Sequence, residues 1–298
     1  MITDDVYIES AESANLALSN PSSGTTLGSQ NTAQLVIADN DTTQPTTNPA
    51  DQSVFFVRQH YLDFFGREPD DGGLAYWSGQ IDLCGNNQQC IRNRRIDVSA
   101  AFFVETEFQD TGFFVIRSYR AAFGRRPTYI EFMRDHTSLQ EGATLETQKQ
   151  TFAIDFVQRA PFIAAYPLTL DGSHFVDALL LAVTNSSALD LTSKRGELIT
   201  EYNSGASQSE GRARALRKVI EYAEYRQAEY NAAFVLAQYF GYLRRDPDED
   251  GYQFWLDILN NRVPNNYRGM VCAFITSSEY QDRFSSVITR SNQECGSP

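Results

Sequence analysis

The stretch "RRDPDEDGYQFW", residues 244–255, places acidic residues at alternate positions, where they could coordinate a cation. Asp246, Asp248 and Asp250 match the first, third and fifth positions of a calcium loop, and Gly251 follows at the sixth. Carboxylate and carbonyl oxygens are the hard ligands that Ca²⁺ prefers. The complete set of predicted calcium ligands is Asp246, Asp248, Asp250, Tyr252 through its carbonyl, and Asp257.

A helix cap is the alternative interpretation of this stretch. Pro247 restricts the turn, and Asp257 is shorter than the bidentate Glu that usually closes a calcium loop. The related stretch "REPDDGGLAYW" (67–77) has Gly72 where Asp250 stands. We therefore favour a cap in which Asp248 or Asp250 accepts backbone N–H bonds at a helix start. On this interpretation the protein needs no cofactor, and Ca²⁺ is the alternative.

Nucleophilic catalysis has no recognisable motif in the chain. No GxSxG elbow, Walker loop or HExxH occurs, and the three histidines are scattered. The acid pair Glu105 and Glu107 could serve a hydrolase, which needs two carboxyls about 5–10 Å apart. Such pairs on a repeat surface are usually solvated, so we predict that the protein is not an enzyme.

The four cysteines predict two disulfides. Cys84 and Cys90 bracket the short polar loop "CGNNQQC", and Cys272 and Cys295 pair by elimination, which ties a C-terminal tail over 285–298 to a helix. Zinc is the rival, but no CxxC or HxxxH accompanies these residues. Disulfides indicate an oxidising, extracytoplasmic location, with a reduced cytosolic chain as the alternative.

Charge and hydropathy exclude several classes of partner. The 298 residues carry a net charge of −13, which argues against nucleic acid and anionic lipid because both require a basic surface. No apolar run approaches the length of a membrane span. The first ten residues, "MITDDVYIES", contain neither the basic region nor the apolar region of a signal peptide.

The first 52 residues differ in character from the rest. "SANLALSN" alternates apolar and polar residues, and "TAQLVIADND" continues the pattern after a turn-rich loop. The alternation predicts a β-hairpin arm over 1–41, followed by a polar linker over 42–52. The apolar residues of the predicted assembly arm are Ala14, Leu16, Leu18, Leu35 and Ile37.

From residue 53 onward one helical pattern recurs. "FFVRQHYLDFFGREP" (55–69) returns as "FFVIRSYRAAFGRRP" (113–127) and within "FVLAQYFGYLRRDPDEDGYQFW" (234–255), each time without a gap. A degraded copy begins at "HFVDALLLAV" (174–183). A recurrence about every 60 residues predicts a helical repeat domain over 53–284. The predicted repeats cover about 53–110, 111–168, 172–230 and 231–284.

Each predicted repeat consists of three helices. The first helix is expected to end before the Pro turn, because the proline ring disfavours helix at the preceding residue. Repeats of this kind bury their faces against neighbours, so we expect a ladder in which each copy contacts the next. The predicted fold class is mainly α: an array of about four helical repeats with a small N-terminal β-hairpin or partial β-sandwich.

Arginines recur immediately before the acid-Pro turn. Arg67, Arg125 and Arg245 would bind anions on one interpretation. On the other, they form structural ion pairs that fix the turn, with Glu107 and Glu279 as partners, and we favour this second interpretation.

Two tryptophans follow the turns. Trp77 and Trp255 could be platforms for carbohydrate. Leu74, Trp77 and Ile81 lie at helical spacing, so we favour core anchors of the second helices.

Two resemblances to known families complete the sequence reading. "YLDFFGREPDDGGLAYW" with "AAFFVETEFQD" resembles the bacterial domain-of-unknown-function family 4214, itself similar to phycobilisome linker domains. The resemblance implies an all-helical module on large secreted or surface-attached proteins, and it carries no catalytic residues. "LSNPSSGTTLGSQNTAQLVIADND" resembles the C-terminal strands of a Calx-beta domain.

The hairpin suggests how the protein works. Two strands are marginal alone in water, so we expect the hairpin to pack on its helical neighbour, to pair with another molecule, or to belong with upstream strands. We predict a secreted, non-enzymatic structural or interaction protein that associates with itself or with other cell-surface proteins, and that can form filaments or a surface layer. The alternatives are a calcium-dependent adhesion or glycan-binding module and, third, a carboxylate-based hydrolase.

Overall fold

A computed structural model describes residues 12–19, 24–38, 46–104, 106–140 and 142–295. Outside these ranges lie the start of the predicted arm, the acidic end of the Calx-beta-like stretch, linker residues 42–45, Glu105 and the last three residues of the tail. The described chain is mainly α-helical with one small antiparallel sheet, which confirms the predicted fold class. Within these residues no helix is long and apolar enough to cross a membrane.

The N-terminal hairpin pairs β1, Glu12–Ala17, with β2, Thr32–Ile37. In this register Ala14 faces Leu35 and Leu16 faces Ala33, so the predicted apolar residues share one face of the sheet. The two strands form a sheet of their own in the described chain, and each has one unpaired outer edge. The hairpin is therefore present with its apolar face as the alternation predicts.

The helical residues follow one order four times: three helices and then a short fourth. The first copy holds α1 (Ser53–His60), α2 (Asp71–Asp82), α3 (Gln88–Val104) and α4 (Thr106–Asp110). The second holds α5 (Gly112–Phe123), α6 (Tyr129–His136), α7 (Leu145–Phe156) and α8 (Ala160–Ala165). The third holds α9 (Gly172–Ser187), α10 (Arg195–Asn203), α11 (Gln208–Glu221) and α12 (Ala223–Ala228). The fourth holds α13 (Tyr230–Gln238), α14 (Glu249–Asp257), α15 (Tyr267–Ile275) and α16 (Ser278–Gln281).

The end of each first helix has the same backbone geometry. One residue in the left-handed region ends the helix or its π-helical extension, at Gly66, Gly124, Ala188 and Arg244 with φ of 65°, 63°, 54° and 53°. This conformation is typical of helix C-termini and favours glycine, which occupies two of the four positions. In three copies a proline follows and the chain enters the second helix.

Two of the first helices also share an irregular last turn. π-helical turns, Tyr61–Phe65 and Tyr239–Leu243, continue α1 and α13 at corresponding positions of the pattern. These turns pack against each other, and Gly241 lies so close to Phe64 that a Cβ at Gly241 would overlap the ring. The shared irregularity therefore lies where the first and fourth copies meet.

The copies do not form the open ladder that the repeat pattern predicts. α3 of the first copy packs against α15 of the fourth, while α5 and α7 of the second pack against α9 and α11 of the third. α5 also contacts α13, which brings the two pairs together around a continuous aromatic core. The expectation that each copy contacts only its neighbours along the chain is wrong, because the first and last copies close on each other.

The predicted linker and tail are also anchored to the helical domain. The buried Asn48 side chain donates to the carbonyls of Gln281 and Val287, at 3.1 and 2.9 Å. Arg290 of the tail pairs with Asp51 at 2.8 Å. Residues 48–51, in the last part of the predicted linker, therefore pack on the fourth copy and the tail.

Candidate functional site

The acidic turn 246–250 holds two parts of the protein together. Asp248 is the N-cap of α14 and accepts from the Gly251 N–H at 2.7 Å, which confirms the predicted cap. Asp246 accepts from the Tyr129 N–H at 2.7 Å, at the start of α6 in the second copy. Glu249 pairs with Arg126 at 2.6 Å. The turn therefore joins the second and fourth copies through two of its carboxylates.

The five predicted calcium ligands do not converge. Tyr252 is buried on α14 beneath the Arg126 guanidinium, whose carbon is 4.1 Å from the ring centre, and Asp257 pairs with Arg262 at 2.5 Å. Asp250 is exposed in the first turn of α14. Across the described ranges no three His, Cys, Asp or Glu residues are grouped so that they could hold a metal ion.

The glycine of the predicted calcium loop has a packing role. A Cβ at Gly251 would collide with the Tyr239 hydroxyl, and Gly73 stands in the same relation to Tyr61 in the first copy. Both glycines also donate their N–H to the capping aspartate, and at Gly73 this bond lowers the pKa of the Asp70 carboxyl. The glycine recurs because a tyrosine approaches the helix start, so it is not specific to a calcium loop.

The recurring arginines form the predicted ion pairs. Arg67 contacts Glu107 at 2.8 Å, and Arg245 contacts Glu279 at 2.9 Å, each as a two-point pair with the short fourth helix of its own copy. Arg125 instead pairs with Glu131 at 2.7 Å, within the capping box that starts α6. The interpretation of these arginines as structural ion pairs is confirmed.

Both predicted disulfides are present. Cys84–Cys90 closes the loop between α2 and α3, and Cys272–Cys295 joins α15 to the tail. The described tail is also held by Gln281, whose side-chain oxygen accepts from the N–H groups of Thr289 and Arg290, both at 2.9 Å. The tail thus forms part of the wall of the helical domain.

One serine and one histidine have the separation of a nucleophile and its base. The Ser99 hydroxyl lies 2.7 Å from Nε2 of His60, and it also contacts the Tyr242 hydroxyl. Burial lowers the pKa of His60 to about 4, and all three side chains lie inside the core. No substrate can reach this trio, which connects the first copy to the fourth. Of the acid pair proposed for a hydrolase, Glu107 pairs with Arg67, and Glu105 lies outside the described residues.

The apolar face of the hairpin is open to solvent. Leu16, Leu18 and Leu35 are 56%, 69% and 44% exposed. Leucines that alternate on one face of a sheet are normally buried, whereas these three are exposed in the described hairpin. Ala14 is also exposed, and Ile37 is half-buried.

A second surface feature was missed in the sequence analysis. A cavity of about 640 Å³ opens between α3 of the first copy and α14, α15 and the tail of the fourth. Its lining includes Arg92, Asn93 and Phe254, which are far apart in the chain. The spacing of residues within one repeat could not reveal this cavity, since it forms only where the two end copies meet. The one available signal was an aromatic pair at 254–255 that matches a pair at 76–77.

Comparison with known proteins gives one relationship. No curated protein matches the chain. A family model described as "Domain of unknown function (DUF4214)" matches residues 220–284, which contain α12 to α16 and thus the fourth copy.

Proposed function

We propose that the protein is a secreted, non-enzymatic structural or interaction protein of a bacterial cell surface or extracellular matrix. In this proposal it associates with copies of itself, or with other surface proteins, through the N-terminal hairpin. The observation that carries the proposal is the exposed apolar face of the hairpin, on which Leu16 and Leu35 are diagonal neighbours across the strands.

Strand pairing explains how such a hairpin would act. Each strand has one edge with unpaired backbone N–H and C=O groups in the described sheet, and pairing with another strand satisfies them. In this proposal the leucine face also packs on an apolar surface of the same partner, because strand pairing at the edge leaves the face uncovered. A head-to-tail contact of this kind closes into a ring or continues as a filament, depending on its rotation.

The two disulfides support an extracytoplasmic setting. Disulfides persist where thiols are not kept reduced, and one bond closes the loop between α2 and α3 while the other joins α15 to the tail. The resemblance of the hairpin stretch to Calx-beta strands fits the same setting.

Lysine substitution on one face of the hairpin tests the proposal. Leu16→Lys with Leu35→Lys places charge on the apolar face, and Asn15→Lys with Gln34→Lys adds the same charge to a cross-strand pair on the opposite face. We expect light scattering to find assemblies for the parent chain and for the control pair, and a monomer for the leucine pair. A monomeric parent chain, or equal assembly of both variants, would overturn the proposal.

The calcium-dependent adhesion module is tested with the same measurement. We expect the mass to be equal with calcium and with chelator, because Asp246 and Asp248 already hold backbone N–H groups. Assembly that requires calcium, and that the triple variant Asp246→Ala, Asp248→Ala and Asp250→Ala loses, would establish the alternative.

A further inference from the structure

The cavity between the first and fourth copies has an aromatic wall. Phe254 is 44% exposed and forms an edge contact with Trp255, with ring centres 5.2 Å apart and planes at 76°. Both rings line the cavity from α14, and the half-exposed Phe254 offers an apolar surface at its mouth. Ile96 of α3 and the Cys272–Cys295 disulfide add further apolar surface.

The remaining walls carry hydrogen-bond donors that have no acceptor. The side chains of Arg92 and Asn93 make neither a hydrogen bond nor an ion pair with any described residue. The side-chain oxygens of Asn266 and Asn292 accept from the Gly269 N–H and the Thr276 hydroxyl, at 3.1 and 2.9 Å, but their amide groups have no acceptor within the described ranges. The cavity therefore presents four side chains with donors that are available to a ligand.

All but one of the charged side chains that line the cavity have a partner of opposite charge. Arg268 pairs with Asp97, and Glu294 contacts Arg290 at 3.4 Å. Arg92 is the one cation on the cavity wall without such a partner in the described chain. In a protein with a net charge of −13, an unpaired arginine beside an aromatic surface is a specific feature of this cavity.

We propose that this cavity binds an acidic saccharide, one whose pyranose ring carries a carboxylate. A pyranose has an apolar C–H face that packs on an aromatic ring, and its hydroxyl oxygens accept from amide groups such as those of Asn93 and Asn266. Its carboxylate pairs with Arg92, since charge-assisted bonds from a guanidinium are strong and directional. The volume of about 640 Å³ lies in the range of small-ligand sites.

A saccharide fits the walls better than a peptide does. The lining elements are helices and the 3-10 turn Asn292–Cys295, so the cavity offers no strand edge to which a peptide backbone could add. Its donors are side-chain amides and one guanidinium, which match an array of hydroxyls and one carboxylate. A peptide rich in glutamate supplies carboxylates without rings and is the natural competing ligand.

The first copy contains a matched control. Tyr76 and Trp77 on α2 correspond to Phe254 and Trp255, make the same edge contact with centres 4.9 Å apart, and do not line this cavity. Substitution of Tyr76, which is 59% exposed against 44% for Phe254, therefore removes an exposed aromatic ring from an equivalent position without a change in the cavity.

The experiment uses the full chain with its disulfides intact. Because the chain has two tryptophans, Trp77→Phe leaves Trp255 as the sole tryptophan reporter inside the cavity. Oligogalacturonate, oligomannuronate and hyaluronan oligosaccharides serve as acidic probes, and malto- and cello-oligosaccharides as neutral ones. A hexapeptide of glutamate tests charge alone. Calorimetry on the unsubstituted chain repeats each titration without reliance on fluorescence.

We expect at least one acidic oligosaccharide to shift Trp255 fluorescence, with weaker binding of the neutral probes and of the glutamate peptide. Phe254→Ala should weaken the binding about tenfold, and Tyr76→Ala should leave it unchanged. Arg92→Ala should weaken the acidic probe about tenfold and bring it level with the neutral ones. The hairpin variant Leu16→Lys with Leu35→Lys should bind like the parent, so this inference and the proposed function fail separately.

Three results would overturn the inference. The first is the absence of binding for every acidic probe at about 1 mM by both methods. The second is equal binding of the glutamate peptide, which would make the cavity a charge-selective or peptide site. The third is an equal loss of affinity in Tyr76→Ala and Phe254→Ala, which would place the binding outside the cavity. Equal affinity for neutral and acidic probes would overturn the role of Arg92.

Discussion

Where the first and fourth copies meet, a buried carboxylate accepts hydrogen bonds from two guanidinium groups; where the second and third meet, a buried guanidinium donates hydrogen bonds to backbone carbonyls. Asp63 contacts Arg283 at 2.8 Å and Arg244 at 2.9 Å. Arg212 donates to the carbonyls of Tyr166 and Pro167, both at 2.7 Å. Both charged groups have almost no access to water.

The difference determines what each junction tolerates. Substitution of the carboxylate at the first junction leaves a charged guanidinium without its counter-charge in a site with little water. Substitution of the arginine at the second junction leaves only neutral carbonyls without a donor. Arg212 also lies over the Phe175 ring, at 5.2 Å from its centre, so part of its contact is apolar. The first junction should therefore be the more sensitive to a single substitution.

The largest effect is expected at Asp63. Asp63→Ala leaves Arg283 without its carboxylate and should lower the free energy of unfolding by about 3–5 kcal/mol, the usual cost of a broken buried pair. Arg212→Met keeps an apolar chain over the ring and should cost about 1–3 kcal/mol, because two carbonyls lose a donor. Urea denaturation with the disulfides intact measures both.

Asp71→Ala is the control, since this aspartate lies exposed in the first turn of α2. Its free energy of unfolding should stay within about 0.5 kcal/mol of the parent value. If Arg212→Met proved the more damaging variant, the proposed difference between the junctions would be refuted.

The first junction should also be the one that responds to acid through a histidine. Burial lowers the pKa of His60 from 6.5 to about 4, while its ring bonds to the Phe56 carbonyl and the Ser99 hydroxyl. The unfolded chain therefore binds the proton first as the pH falls. The stabilisation is complete above pH 6.5 and is lost progressively toward pH 4, by about 3 kcal/mol.

A comparison of His60→Gln with the parent chain isolates the contribution of His60 to the pH dependence of the free energy of unfolding. Between pH 7 and 4.5 the variant should lose about 2.5 kcal/mol less than the parent. Both chains retain the contribution of His136, whose pKa burial also lowers to about 4, so it cancels in the difference. Identical slopes for the parent and His60→Gln would mean that His60 titrates alike in both states.

Close backbone approach gives a smaller effect at the same junction. Gly241→Ala would force a methyl group into the Phe64 ring and should destabilise the fold by about 1–3 kcal/mol. The double variant with Phe64→Leu should cost less than the sum of the two single changes, because the smaller side chain makes room. Gly79→Ala, where no atom lies within 4 Å of the new Cβ, should be neutral or stabilising. Additive costs in the double variant would show that the two residues do not interact.

The sequence correctly predicted those parts of the fold that depend on residues close together in the chain or at the repeat spacing. The Asp248 cap, the arginine pairs and the hairpin each depend on residues within a turn or at a repeat spacing. The closure of the first copy on the fourth depends on contacts such as Arg283–Asp63, which joins residues 220 positions apart. An aspartate within the apolar run "YLDFFG" was the available signal, because a charge among core residues requires a partner.

The cavity and the calcium hypothesis show the same limit. Alternate aspartates at 246–250 match a metal loop by spacing, yet Asp248 caps its own helix and Asp246 bonds to the second copy, which the spacing does not reveal. Phe254 resembles a core residue by its pattern, and only the meeting of α3, α14 and α15 gives it an exposed cavity to line. The spacing of residues in the sequence determines which side chains share a helix face, whereas tertiary packing determines what that face contacts.

The smallest effect belongs to the turn that ends α9 in the third copy. Ala188 has a φ of 54°, where a Cβ is strained, and Gly124 holds the corresponding place in the second copy with a φ of 63°. Ala188→Gly should stabilise the protein by about 0.5–1 kcal/mol, since relief of the strain exceeds the added entropy of the unfolded chain. Gly124→Ala should destabilise it by about 1 kcal/mol for the opposite reason. Urea denaturation of the two variants should therefore give opposite signs. A loss of stability in Ala188→Gly would mean that the Ala188 methyl group packs well enough to outweigh its backbone strain.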